Sequence, residues 1–200
     1  MGFLSEKCTF TTFSQDVIES SADFDCGHVD LNDFFRNDCI DYSSQLLGKS
    51  YCFLLDEDPT QFVCAFTVSN DSIKTNTLPN SRKKKVNKKI PRAKHFNSYP
   101  AVLIGRLGVN KVFKHKGVGR ELMDFIKSWF IDPYNKTGCR FIVIDSYNEE
   151  EPINYYLKND FDFLFSSKEQ EIEYLTPPND ELKTRLMIFD LIVLSPDSAE

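Results

Sequence analysis

The chain lacks the marks of a membrane or exported protein. No apolar run approaches the roughly 20 residues that cross a bilayer, and Met1-Gly-Phe-Leu-Ser-Glu-Lys-Cys8 is not a secretory leader. Myristoylation at Gly2 needs Ser or Thr at position 6, where Glu6 stands. The cysteines Cys8, Cys26, Cys39, Cys52, Cys64 and Cys139 contain no C-x-x-C and no metal-like spacing. They read as reduced thiols of a cytoplasmic protein, and no metal site is expected. Neither G-x-x-x-x-G-K-[ST] nor G-x-G-x-x-G occurs, so the common nucleotide loops are excluded. No internal repeat and no second domain is visible.

What is present is a globular composition. Two hundred residues, 41% hydrophobic and 14% aromatic with 18 Phe, suit one domain with a real core. The net charge of −6 hides an asymmetry. Eight of the 24 Lys and Arg lie in Arg82–His95, which holds no acid, leaving 16 against 30 acids elsewhere, a balance of −14. The segment is either a solvated lysine-rich face or a platform for an anionic partner. Only Phe96 lies nearby, so base stacking is not indicated.

The central stretch is Tyr99–Phe130. Residues 99–109 read as a strand, interrupted by Gly105 and Gly108, which suggest a bulge or the close approach of another backbone. A basic turn follows. Then comes a helix with Val118, Leu122, Phe125, Ile126, Trp129 and Phe130 on one face and Arg120, Glu121, Asp124 and Lys127 on the other. Gly117 and Gly119 sit at its start, where N–H groups have no intrahelical acceptor and the dipole adds positive potential. With Lys114, His115, Lys116 and Arg120 around them, they make a phosphate site. Cys139–Asp145 is a near-continuous apolar strand, as expected of one buried on both faces. Strand, helix and strand form a βαβ unit whose strands are predicted to be parallel.

Around this unit the pattern predicts strands at Thr9–Phe13, Lys49–Asp56, Gln61–Ser69, Phe161–Phe165 and Leu186–Leu194. It predicts helices over 31–39, near 82–90 and from about Glu149. Asp33, Asp38 and Asp41 read as a solvated face, Ser166–Asp180 as a surface excursion and Ser195–Glu200 as a frayed tail. The fold class is mixed α/β: a twisted, largely antiparallel sheet with a central parallel pair and flanking helices, in a single domain over 1–200 with 76–98 as a basic insertion.

Lys114-His115-Lys116-Gly117-Val118-Gly119 resembles the [Gln/Arg]-x-x-Gly-x-[Gly/Ala] signature of the GNAT (Gcn5-related N-acetyltransferase) superfamily, with Lys in place of the usual Gln or Arg. Gly105-Arg-Leu-Gly-Val109 looks like the strand end of the branch that includes tRNA-acetylating toxins. The phrase from Phe24-Asp-Cys-Gly to Leu31-Asn-Asp-Phe-Phe35 resembles that branch's first helix. Asn148 through Tyr156 to Phe161 is similar to the family's Asn…Phe-Tyr-x-x-x-Gly-Phe, with Asp160 at the usual Gly. The resemblance implies acetyl-CoA as co-substrate. Backbone N–H groups at Leu107, Gly108 and Val109 would hold the acetyl carbonyl and pantetheine. Lys114, His115, Lys116, Gly117, Val118, Gly119 and Arg120 would hold the pyrophosphate. It also implies a place for Asn148 in the cofactor site and Tyr156 as general acid to the departing thiolate. Read from the residues alone, Tyr156 is a helix-face aromatic that fills the core.

The expected activity is acetyl transfer to a primary amine: of a small molecule, a protein N-terminus or lysine, or aminoacyl-tRNA in a toxin-like enzyme. The alternative is a non-catalytic CoA-binding or nucleic-acid-binding module that keeps the fold. No His or Glu reads as a general base: His28 and His95 lie in links, and Glu149–Glu151 could be an exposed helix start. Near pH 7.5 about one lysine amine in a thousand is neutral, against a quarter to a third of α-amines. That favours an α-amine acceptor, and Arg82–His95 would hold one attached to tRNA. A homodimer and an antitoxin partner are left open.

Overall fold

The computed structural model describes residues 2–175 and 180–195. The expected tail beyond Ser195 and positions 176–179 of the expected excursion lie outside the described residues. The chain groups into two compact units, Met1–Ser69 with Ile104–Trp129, and Asn70–Leu103 with Phe130–Glu200. Among the described residues seven strands form one mixed sheet: β1 (Cys8–Thr12), β2 (Lys49–Leu55), β3 (Asp58–Lys74), β4 (Ser98–Val109), β5 (Phe141–Tyr147), β6 (Asp162–Phe163) and β7 (Thr184–Asp190). Their order is β1-β2-β3-β4-β5-β7-β6, and β4 with β5 is the parallel pair that the βαβ pattern anticipates.

In the first unit β1 pairs antiparallel with β2, Cys8 opposite Leu55 and Thr12 opposite Tyr51. The helices are α1 (Phe3–Lys7), α2 (Gln15–Ser20), α3 (Val29–Asp33), α4 (Cys39–Ser44) and α6 (Val118–Ile131), the last ending in the other unit. The abundant Phe residues are used here. Phe13, Phe24, Phe34, Phe35 and Phe62 form one buried cluster with Cys26, Cys39 and Cys52. Phe10 stands between the rings of Tyr51, Phe53 and Phe125, at 5.4, 5.1 and 4.8 Å. The helix expected over 31–39 is present and continuous, with a π turn at Phe34–Asp38 inside it. The extra residue per turn alters the phase between Phe34 and Phe35, both buried, and Cys39. α6 buries Val118, Leu122, Met123 and Ile126, and also Lys127, which its position on the polar face would expose. Met123 and Lys127 form a second ridge beside Leu122 and Ile126, so the covered stripe is wider than the apolar one.

In the second unit β5 and β7 pair antiparallel from Phe141 opposite Asp190 to Tyr147 opposite Thr184. Its helices are α5 (Asn80–Asn87), α7 (Glu150–Lys158) and α8 (Lys168–Leu175). The strand expected at 161–165 is only two residues long, because Arg82 takes its carbonyls: the guanidinium donates to Leu164 O and, at 2.7 Å, to Phe163 O. That closes an edge that would otherwise be open to pairing. The strand expected to reach Leu194 stops at Asp190, whose carboxylate accepts the Ile192 N–H and starts a 3₁₀ turn over Leu191–Leu194. The expected surface excursion contains α8. Its Glu171, 1% exposed, receives Arg185 Nε at 2.6 Å and the Leu186 N–H. A buried ion pair, not a solvated loop, therefore fixes this helix.

Candidate active site

In the first unit, β4 runs into the glycine turn through Asn110. Its N–H donates to Val63 O at 2.9 Å, and its Oδ1 accepts the Val112 N–H at 3.1 Å. This starts a 3₁₀ turn over Lys111–Phe113, with Phe113 buried. Then His115 and Gly117 both take positive φ, +60° and +86°. Gly117 O accepts the N–H groups of Arg120 and Glu121, at 3.0 and 3.2 Å, and so closes the first turn of α6. A Cβ on Gly117 would meet nothing within 4 Å. The glycine serves the backbone angle, and the space beside it is open. His115, Lys116 and Arg120 are exposed around it. Lys116 Nζ lies 5.8 Å from the Phe113 ring centre, and Arg120 is 3.8 Å from Asp124. Lys114 is half-buried and leans toward Gly27, its Nζ 3.8 Å from where a Cβ would stand there.

Leu107, Gly108 and Val109 end β4 just before this turn. The close approach expected at Gly108 comes from side chains and not from a backbone. A Cβ there would lie 3.0 Å from Cys26 Cβ and 3.1 Å from the Phe24 ring. The segment carrying those residues is clamped. Asp25 receives the Lys111 ammonium, the Gly27 N–H at 2.9 Å and Asn32 Nδ2 at 3.0 Å, and these hold its carboxyl down at about 2. Asn32 Oδ1 in turn accepts the Cys26 N–H at 2.9 Å.

In the second unit, α7 ends in a Schellman closure. The Asp160 N–H donates to Leu157 O and the Phe161 N–H to Tyr156 O, both at 3.1 Å. Asp160 has φ +63°, so it occupies the left-handed position that glycine normally fills. The apolar contact that goes with such a closure is Phe161 on Tyr156, ring centres 5.6 Å apart, and Tyr155 flanks Tyr156 at 5.0 Å. Tyr156 is thus fixed by the turn that follows it. Burial pushes its phenol well above the ordinary 10, so it stays protonated at any working pH. Asn148 donates through Nδ2 to Leu182 O and through its N–H to Lys183 O; its Oδ1 is buried with no hydrogen-bond partner. Asp145, next to a cavity of about 370 Å³, has its carboxyl raised by burial, with Asp71 and Glu171 adding repulsion.

The basic segment is also in the second unit, and it is seated. Val86 is buried, and Tyr99 donates its hydroxyl to Asn87 Oδ1 at 2.8 Å. Arg82 is committed to β6 and Lys85 to Asp162 at 3.0 Å. Lys84, Lys88, Lys89, Arg92 and Lys94 are exposed.

Of the residues singled out in the sequence, Leu107–Val109 and Lys114–Arg120 share the first unit, while Asn148 and Tyr156 belong to the second. Sequence reasoning missed Asp25, Asn110 and Asp145. For Asn110, an Asn directly after a strand was the available signal. Among the described residues no group of three or more His, Cys, Asp or Glu could hold a metal ion, and no helix is long and apolar enough to cross a membrane.

No family model matches the chain, and no curated protein matches it in sequence. Solved structures do match. A tyrosine-to-phenylalanine mutant of KacT aligns with TM-score 0.69 and 18% identity, covering 94% of this chain and 98% of that one. AtaT complexed with acetyl-methionyl-tRNAfMet aligns at 0.65 and 18%, covering 94% and 96%. The fold is GNAT-like. AtaTR bound with AcCoA shares the GNAT-like fold at 0.62 and 19%, covering 94% and 96%. At these identities the likeness is one of fold.

Proposed function

We propose that the protein is an N-acetyltransferase that takes its acetyl group from acetyl-CoA. The observation that carries this reading is the turn before α6. It has two positive-φ residues, an open space beside Gly117, a helix start and exposed cationic side chains, and such a turn binds phosphate. Lys116, Arg120 and His115 would hold the pyrophosphate, and the ends of β4 and of the turn would supply N–H donors. AtaTR, of the same fold, was solved with AcCoA, which supports this cofactor.

Acetyl-CoA supplies an acyl group activated as a thioester. In the chemistry we propose, the acceptor nitrogen bonds to the acetyl carbon, the C–S bond breaks and the nitrogen's proton passes to solvent. Backbone N–H groups near Leu107–Val109 would stabilise the carbonyl oxygen as charge builds on it. Tyr156 would donate to the leaving sulfur. A thiol has a reference pKa of about 8.5, well below this phenol, so Tyr156 would act mainly by hydrogen bonding to the thiolate, with solvent making good the proton. Asn148, with a buried unpartnered oxygen, is the second candidate contact in that unit.

We further propose that the acceptor is an α-amine carried on tRNA. An α-amine is partly neutral without a base, and the seated cations Lys84, Lys88, Lys89, Arg92 and Lys94 suit a polyanion. AtaT was solved complexed with acetyl-methionyl-tRNAfMet, an α-amine on tRNA that carries an acetyl group. The test is labelled acetyl-CoA offered with aminoacyl-tRNA, spermidine and lysine-containing peptides at pH 7. Label is expected on the aminoacyl group of tRNA. Preferential labelling of peptide lysines would overturn the acceptor, and label on none of the amines would favour the non-catalytic module.

A further inference from the structure

α6 carries an acid close to the place proposed for an anion. Glu121 is the fourth residue of the helix, one turn beyond Gly117. Helical side chains lean toward the N-terminus and cover the preceding turn. An unrestrained Glu121 carboxylate would therefore hang over the Gly117 turn and repel phosphate. In the structure it is turned to α1. Glu121 Oε2 accepts the Leu4 N–H at 2.8 Å, a donor that the start of α1 leaves without a helical partner. Residue 2 allows this because it is glycine: a Cβ there would lie 2.5 Å from Glu121 Oε2 and 2.6 Å from its Cδ. The same short helix is anchored by buried Leu4 and by Phe3, whose ring centre is 5.7 Å from that of Phe113, the residue before the cationic turn.

We propose that α1 is a positioning element for acetyl-CoA: by holding Glu121, it keeps a negative charge off the pyrophosphate seat. Glu121 is a positioning residue, and the inference rests on the reading of the Gly117 turn as that seat. Gly2→Val would push the carboxylate off Leu4 without touching the turn. Affinity for acetyl-CoA and for inorganic pyrophosphate is measured by calorimetry, with melting curves as a check on folding.

Gly2→Val is expected to weaken both ligands about tenfold, or about 1.4 kcal/mol. The loss should shrink in high salt, because the repulsion is screened, and in turnover it should appear in KM more than in kcat. Adding Glu121→Gln should recover most of the loss, since the displaced side chain then carries no charge to repel phosphate. Should Gly2→Val fail to fold, Glu121→Asp gives the same test: it keeps the charge on an arm too short for Leu4, and is expected to bind more weakly than Glu121→Gln. Equal affinity in Gly2→Val and wild type, or a deficit that Glu121→Gln leaves untouched, overturns the inference alone. Wild-type protein that binds neither ligand overturns the cofactor reading, and the inference with it.

Discussion

Gly117→Ala separates the two demands that the glycine turn makes, on backbone angle and on space. The φ of +86° is one that an L-residue adopts only at a cost of about 1–2 kcal/mol. Nothing lies within 4 Å of the new methyl, so no clash adds to that strain. For a chain of this size about 1 kcal/mol shifts the melting temperature by roughly 2–4 °C, so a fall of roughly 2–8 °C is expected. Gly138→Ala is the control. Its Cβ also meets nothing within 4 Å, but its φ is not positive. There the smaller entropy of the unfolded chain should stabilise by roughly 0.4–1 kcal/mol. Binding distinguishes a ligand cradle from a plain turn. If pyrophosphate sits against the Gly117 backbone, the methyl should weaken acetyl-CoA at least tenfold in titration calorimetry, about 1.4 kcal/mol or more. Gly138→Ala should leave that affinity alone. A Gly117→Ala protein that melts lower but binds acetyl-CoA as tightly as wild type would refute the cradle and leave only the turn.

Three further outcomes follow from the packing and charge. Asp160→Gly relieves a left-handed residue in the Schellman closure, and after the extra flexibility of glycine is subtracted it should stabilise by about 0.5–1 kcal/mol, read from urea unfolding. Glu171→Ala leaves the Arg185 guanidinium, whose side chain is 6% exposed, and the Leu186 N–H without their acceptor. It should cost about 3–5 kcal/mol by the same assay. Charge reversal of Lys84, Lys88 and Lys89 should slow acetylation of aminoacyl-tRNA at low salt and spare a small neutral amine; equal slowing of both would remove the segment from acceptor choice.

How much was legible beforehand varied with the physics of each element. The β4–α6–β5 unit showed in the sequence because its signals are periodic and local: an apolar strand, a glycine turn and a 3.6-residue stripe. Asp160 was legible as an oddity, a carboxylate where a glycine belongs, and the positive φ bears that reading out. What stayed hidden depends on contacts between distant residues. Nothing local announces that Arg82 will turn from the basic face to the carbonyls of Phe163 and Leu164, or that Glu171 will be buried with Arg185. α2 carried a readable cap, Ser14 accepting the Val17 N–H, but its six residues are too few for periodicity to show. Gly108 was recognised as a point of close approach, yet the partners Phe24 and Cys26 lie more than 80 positions earlier.

The central claim is acetyl transfer assisted by the Tyr156 hydroxyl, and single-turnover kinetics of Tyr156→Phe with labelled acetyl-CoA test it most directly. The ring stays packed between Tyr155 and Phe161, so folding and acetyl-CoA affinity should hold while transfer falls roughly 10²–10³-fold, the loss of one hydrogen-bond donor to the developing charge. Transfer at the wild-type rate in a folded Tyr156→Phe protein would contradict the account and return Tyr156 to the role of a core aromatic.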